Sequence, residues 1–152
     1  MKSDRPRLDQ INIISANLDA SIGFYRRLGV EIAEDGIWRT PSGIHHVMAG
    51  SGATDSPIGL DIDSVAFAQL WNTGWHGRED LRGRVVVGFT LPSRASVDAL
   101  YAELTGAGHP GLHAPWDAFW GSRYAIVEDP DGIAVGLMSP PSNEHRAPPP
   151  EI

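Results

Sequence analysis

The feature that most constrains this chain is a pattern that occurs twice. A strand-like run, a capped helix and a return to strand-like runs recur at a shift of 76 residues, which places Gln10 on Val86, Ile13 on Phe89, Phe24 on Leu100, Tyr25 on Tyr101 and Leu28 on Leu104. Self-similarity over most of a short chain points to two copies of one supersecondary unit. A chain of 152 residues has room for one substantial core, or for two small modules, but not for two ordinary independent domains.

The first copy opens with residues 8–15, where Ile11 and Ile13 alternate with Gln10 and Asn12 and so give one apolar and one polar strand face. Asn17 suits a helix N-cap, Leu18, Ile22, Tyr25 and Leu28 follow at helical spacing, and Gly29 stops the helix. Residues 30–38, bent near Asp35-Gly36, pass through Thr40-Pro41-Ser42-Gly43 into a strand over 44–49. Ile58, Leu60 and Ile62 then alternate with Gly59, Asp61 and Asp63, as expected of a strand buried on one face. The segment thus reads as β-α-β-β-β. A connector over 64–83 holds a short helix, capped by Asp63 or Ser64, that runs through Trp71. Its Trp71 and Trp75 either cover the core edge or anchor a partner.

The second copy begins with a strand over 84–91. Ser93 caps a helix with Val97, Leu100, Tyr101 and Leu104 on one face. Residues 109–115, with His109 and His113, read as a short strand or loop. The chain then forms a hairpin, in which two β-rich runs flank Asp129-Pro130-Asp131-Gly132. Proline presets the first central turn position, and Asp and Gly suit the positions after it. Glu128, Asp129 and Asp131 are read as turn-forming rather than catalytic. Residues 140–152, with Pro140-Pro141 and Pro148-Pro149-Pro150, lack core-forming side chains and read as a flexible polyproline-like tail.

Composition removes several functions. Nineteen acidic against twelve basic side chains give a net charge of −7, which repels a phosphate backbone, so nucleic acid is not expected as a partner. No apolar run nears the roughly 20 residues that span a bilayer, the N-terminus lacks the apolar core of a secretory signal, and there is no cysteine. The expectation is a cytoplasmic protein without membrane contact. Phosphate-binding glycine loops, a nucleophile elbow and HExxH are all missing.

Residues 18–29, Leu-Asp-Ala-Ser-Ile-Gly-Phe-Tyr-Arg-Arg-Leu-Gly, together with Glu128-Asp129-Pro130-Asp131-Gly132, resemble the first-helix and last-hairpin motifs of the vicinal oxygen chelate superfamily. That superfamily includes glyoxalase I, bleomycin-resistance proteins and extradiol dioxygenases. The resemblance covers about residues 8–139. It implies an α+β fold of two tandem βαβββ modules, 8–63 and 84–139, forming a curled mixed sheet around a cleft, preceded by a lead over 1–7 and often completed in a homodimer. Metal-dependent relatives carry a ligand at the start of each module's first strand and a carboxylate on each last strand. Carried over residue by residue, these positions fall on Gln10, on Val86, on Gly59 or Asp61, and on Gly136. Val86 and Gly136 have no donor, so only Gln10 and Asp61 remain, fewer than the roughly three protein ligands a catalytic divalent metal needs.

By strand alternation the cleft-facing set is Gln10, Asn12, Asp61, Val86, Gly88, Thr90, Gly136 and Met138, with the absent side chains at Gly88 and Gly136 opening volume. Of the adjacent His45 and His46, one faces the cleft, and His46 is taken as that one. Trp38, Trp116, Phe119, Trp120 and Tyr124 offer flat rings for stacking. The resulting expectation is a metal-free protein that sequesters a small hydrophobic or aromatic molecule, as bleomycin-resistance proteins do, with no cofactor. The alternative is an enzyme of lyase, isomerase or dioxygenase type, either with an atypical divalent site or with His46, Asp61 or Tyr124 in acid-base work.

Overall fold

In the computed structural model, which describes residues 10–49, 58–71 and 85–148, the chain divides into two compact units, Met1–Arg78 and Glu79–Ile152. The first contains β1 (Gln10–Ser15), α1 (Leu18–Arg27), β2 (Ile37–Thr40), β3 (Gly43–Ala49), β4 (Gly59–Ser64) and α2 (Val65–Trp71). The second contains β5 (Val86–Thr90), α3 (Arg94–Gly106), β6 (Gly111–Asp117), β7 (Arg123–Glu128) and β8 (Ala134–Met138). Each builds one mixed four-stranded sheet, in the orders β1-β4-β3-β2 and β5-β8-β7-β6. These are the same order. First and last strands run parallel in both sheets while the remaining neighbours are antiparallel.

Local chemistry sets the elements where the sequence suggested. Asn17 Oδ1 accepts from the Ala20 amide at 3.1 Å, and Ser93 and Ser96 form a reciprocal capping box, so the helices of the two copies start at matching points. Ser64 Oγ accepts from the Phe67 amide and starts α2 directly at the end of β4. The strand expected over 30–38 is shorter, because Glu34–Gly36 forms a 3-10 turn and leaves only Ile37–Thr40 paired.

One face of each sheet carries the core. Ile13, Val47 and Ile62 are buried beneath Leu18, Ile22, Phe24 and Tyr25 of α1, while Val87, Ala125, Val127, Val135 and Leu137 are buried with Val97 and Leu104 of α3. Full burial of such side chains supplies about 1.5–3 kcal/mol each, which fixes every strand's register. The opposite face is thereby left for other chemistry.

The hairpin turn is held by one carboxylate. Asp129, nearly inaccessible to solvent, accepts from the amides of Asp131 at 2.8 Å and Ile133 at 2.9 Å, and Gly132 takes the positive φ of 83° that the turn demands. The expected flexible tail gives way, up to Ala147, to a bonded segment. Ser142 donates to the Gly121 carbonyl at 3.0 Å, Ala147 to that of Phe119 at 2.9 Å, and Arg146 forms a β-bridge with Trp120. The polar backbone of the loop before β7 supplies partners that a proline-rich stretch cannot find within itself. Expectations for the loop over 50–56, for Trp75 and for most of the connector lie outside the described residues.

Asp129→Ala strips acceptors from two turn amides and is expected to cost about 1–3 kcal/mol in urea unfolding. Asp129→Asn, which retains Oδ1, should cost clearly less.

Candidate functional site

In the first unit, alternation and register bring Asn12 of β1, Asp61 and Asp63 of β4, His46 of β3 and Trp38 of β2 to the face away from α1. His46 lies directly across from Asp63, and Trp38 across from His46. Asp63 is 1% exposed. An ionised carboxylate at that depth costs several kcal/mol unless its lone pairs are met. Three donors meet them: Asn12 Nδ2 at 3.0 Å, Trp71 Nε1 at 2.9 Å and His46 Nδ1 in a short hydrogen bond.

Helix α2 makes this possible, because it starts immediately after β4 and brings Trp71 back over the strand it has just left. The same helix sets Phe67 edge-on to His46, at 5.8 Å between ring centroids, and to Trp38 at 5.2 Å. Asn12 Oδ1 is buried without a hydrogen-bond partner among the described residues. His45, as alternation requires, points to the other face and bonds Ser64, Thr40 and Ser42. Burial pushes the Asp61 carboxyl above its ordinary range; the nearby His46 pulls it down and Asp63 pushes it up.

In the second unit the same strand positions carry rings. Trp116 is paired with Tyr124 as Trp38 is with His46, Tyr124 with Met138 as His46 is with Asp63, and Gly88 with Gly136 as Asn12 is with Asp61. Tyr124 packs 4.8 Å from Trp116 and 5.5 Å from Trp120, and Phe119 meets Trp120 at 5.1 Å. Burial pushes the Tyr124 phenol above its usual range. Trp116, Trp120 and Tyr124 are partly buried, Phe119 is exposed, and Val86, Gly88 and Thr90 of the edge strand β5 are exposed beside them. His113, in a segment read as a short strand or loop, lies in β6, where bulges on either side of it let its ring lie 3.8 Å from that of Trp116.

The structure thus brings Asn12, Trp38, His46 and Asp61, with Gln10 at the exposed start of β1, onto one face of the first sheet. Val86, Gly88, Thr90, Trp116, Tyr124, Gly136 and Met138 share one face of the second, flanked by Phe119 and Trp120. Two expectations change. Gly136 does not open volume, since a Cβ there would lie 2.6 Å from Tyr124 Oη; the glycine exists so that the ring can lie across it. Gly88 does face open space. Trp71, half-exposed, neither covers the core edge nor stands free as an anchor but donates to Asp63, the buried acceptor of three side chains. Phe67 escaped the sequence reading. The available signal was a second aspartate on the inward-alternating side of a strand that runs straight into a helix.

These residues do not fit the divalent centre that the resemblance implies. Val86 offers no donor, the position of the second carboxylate is covered by Tyr124, and no group of three or more His, Asp or Glu side chains among the described residues is placed to hold a metal ion.

A model of the Glyoxalase/Bleomycin resistance protein/Dioxygenase superfamily matches residues 7–137. No curated protein matches the sequence. Among solved structures, the chain is similar to a glyoxalase-related enzyme from Fulvimarina pelagi, at 20% identity over 88% of each chain with a TM-score of 0.69. It is also similar to a lactoylglutathione lyase from Agrobacterium tumefaciens, at 17% identity over 90% of this chain and 96% of that one with a TM-score of 0.60. A third likeness is to a bleomycin resistance determinant encoded on the transposon Tn5, at 20% identity over 88% and 98% with a TM-score of 0.55. Identities this low establish a shared fold.

Gly136→Ala is expected to displace the Tyr124 ring, alter the near-UV circular dichroism and cost about 1–3 kcal/mol as an overpacked site. Gly88→Ala, with open space around it, should stay within about 0.5 kcal/mol of wild type. For Asp61, a raised folded pKa means that folding favours the protonated form. That contribution is full below the unfolded value of 3.8 and is lost as pH rises through the folded one. Asp61→Asn should therefore be more stable than wild type near about pH 7 and equal to it near about pH 3.

Proposed function

Because the chain belongs to the Glyoxalase/Bleomycin resistance protein/Dioxygenase superfamily, we propose that it uses this fold without a metal or other cofactor to bind a small hydrophobic or aromatic molecule, sequestering it in the manner of a bleomycin-resistance protein. One observation carries this reading: the Tyr124 ring lies across Gly136, where a metal-binding carboxylate would stand, and packs against Trp116 and Trp120.

Those rings are mutually braced, so little side-chain freedom remains to be lost when a ligand stacks on them. Each aromatic contact contributes about 0.5–1.5 kcal/mol beyond area burial. Val86, Gly88 and Thr90 alongside are exposed, and no described residue lies within 4 Å of the point where a side chain at Gly88 would project. The bonded segment over 142–147 holds the loop that bears Phe119 and Trp120 at the edge of this shelf. A homodimer is part of the proposal. Val85 and Val86, 49% and 45% exposed at the edge strand, offer apolar surface to a second copy.

The alternative, an enzyme of the same fold, draws on a different observation, the His46–Asp63 pair.

Isothermal titration of a panel of planar aromatic compounds is expected to give saturable binding that excess EDTA leaves unchanged and that Trp120→Ala weakens at least about tenfold, the loss of one or two stacking contacts. Binding by no member of the panel, or binding only with an added divalent metal, would overturn the reading. Light scattering after size exclusion should give the mass of two chains.

A further inference from the structure

We propose that His46 is a general base, with Asp63 as its positioning residue, and that the first unit transfers a proton to and from a planar carbonyl compound bearing an acidic C–H next to the carbonyl. The inference rests on the first unit alone and is independent of the aromatic shelf.

The geometry points to it in three steps. Asp63 is buried and accepts from Asn12 Nδ2 and Trp71 Nε1, two donors that have no proton to lose at ordinary pH. Both bonds are donated into the carboxylate. An ionised carboxylate only accepts, so the ring atom facing it, His46 Nδ1, must carry the proton. In the neutral ring the lone pair then resides on Nε2. No hydrogen bond to Nε2 forms among the described residues, and the side chain keeps a quarter of its surface exposed.

The surroundings suit the second role of a base, which is to carry the proton once taken. An imidazolium at His46 would lie against the Asp63 carboxylate, with Asp61 the other charged group that faces it among the described residues; the described elements packed on either side contribute Trp38 and Phe67, which are uncharged. Trp38 is 47% exposed and Met48, across from Asp61, is 48% exposed, so a flat apolar molecule has surface to lie on beside the imidazole. Had His46 served only to cap a buried carboxylate, a fully covered ring would have done so at lower exposure.

The step balances within the substrate. Nε2 takes the proton from carbon, and the C–H electron pair moves into the adjacent carbonyl to give an enolate. The imidazolium then returns a proton to the same carbon or to a conjugated one. The product is an epimer or an isomer, and no oxidant, reductant or water is consumed. Asp63 stabilises the imidazolium and stays ionised throughout.

The test uses the whole chain and 1-indanone, a planar aromatic ketone. Deuterium incorporation at its C2 position from D2O, followed by proton NMR, is expected to run at least about 100-fold faster with wild type than with His46→Gln, the lower range of general-base assistance. It should also exceed the rate given by an equal concentration of free imidazole. Asp63→Asn, with Asp63 a positioning residue, should slow exchange about tenfold or more and remove the fixed tautomer. The tautomer is read directly from nitrogen-15 correlation spectra, in which neutral wild-type His46 should show Nδ1 protonated and Nε2 bare. A wild-type rate no greater than that of imidazole, equal rates in wild type and His46→Gln, or a protonated Nε2 in the neutral ring would each overturn the proposal. The imidazole and tautomer arms need no variant, so an unfolded variant leaves the test decisive.

Discussion

Everything in this protein depends on the parallel pairing of the first and last strands of each unit, β1 with β4 and β5 with β8. A parallel pair cannot be closed by a tight turn and needs a long crossover; here a helix and two further strands lie between its members. The helix covers one face of the sheet and leaves the other available. Because side chains alternate with a period of two, the aliphatic set that packs under the helix decides at the same time which residues stand on the free face. Function in this fold is therefore written at every second position.

The two free faces are built on one plan with opposite chemistry. Matching positions hold Trp38 and Trp116, His46 and Tyr124, Asp63 and Met138, Asn12 and Gly88, Asp61 and Gly136. In the first unit the lone pairs of a buried carboxylate are met by side-chain donors, and the result is a polar network whose members fix each other's orientation. In the second, the same space is filled by rings, and the one residue that must be small is the glycine beneath Tyr124. A duplicated module can diverge in this way because the core face and the free face share no side chains.

Much of the architecture was legible in the chain. The caps at Asn17 and Ser93, the turn at 129–132, the period of each strand and the shift relating the two copies are local or repetitive signals, and each arises from residues near one another in sequence. Alternation also sets Asn12 and Asp61 apart from the aliphatic positions of their strands without reference to anything distant, whereas for His45 and His46 it says only that they point to opposite faces. The bonded state of the segment over 142–147 was not, because its partners are the backbone groups of residues 119–121, and composition says nothing of where a chain returns.

The sequence by itself determined the family, the two-module α+β plan and the alternation that separates Gln10, Asn12 and Asp61 from the aliphatic positions of their strands. Only the tertiary structure decided that Asp63, rather than Asp61, is the buried carboxylate, that Trp71 is its donor rather than a cover for the core, and that Tyr124 fills the space glycine leaves. The physical reason is one of range. Propensity, capping and alternation act over a few residues, whereas the Asn12–Asp63 bond joins positions 51 apart, His46 and Asp63 are 17 apart, and Tyr124 reaches Gly136 across a hairpin. Such contacts exist only after the strands have paired, and they carry the chemistry of both faces.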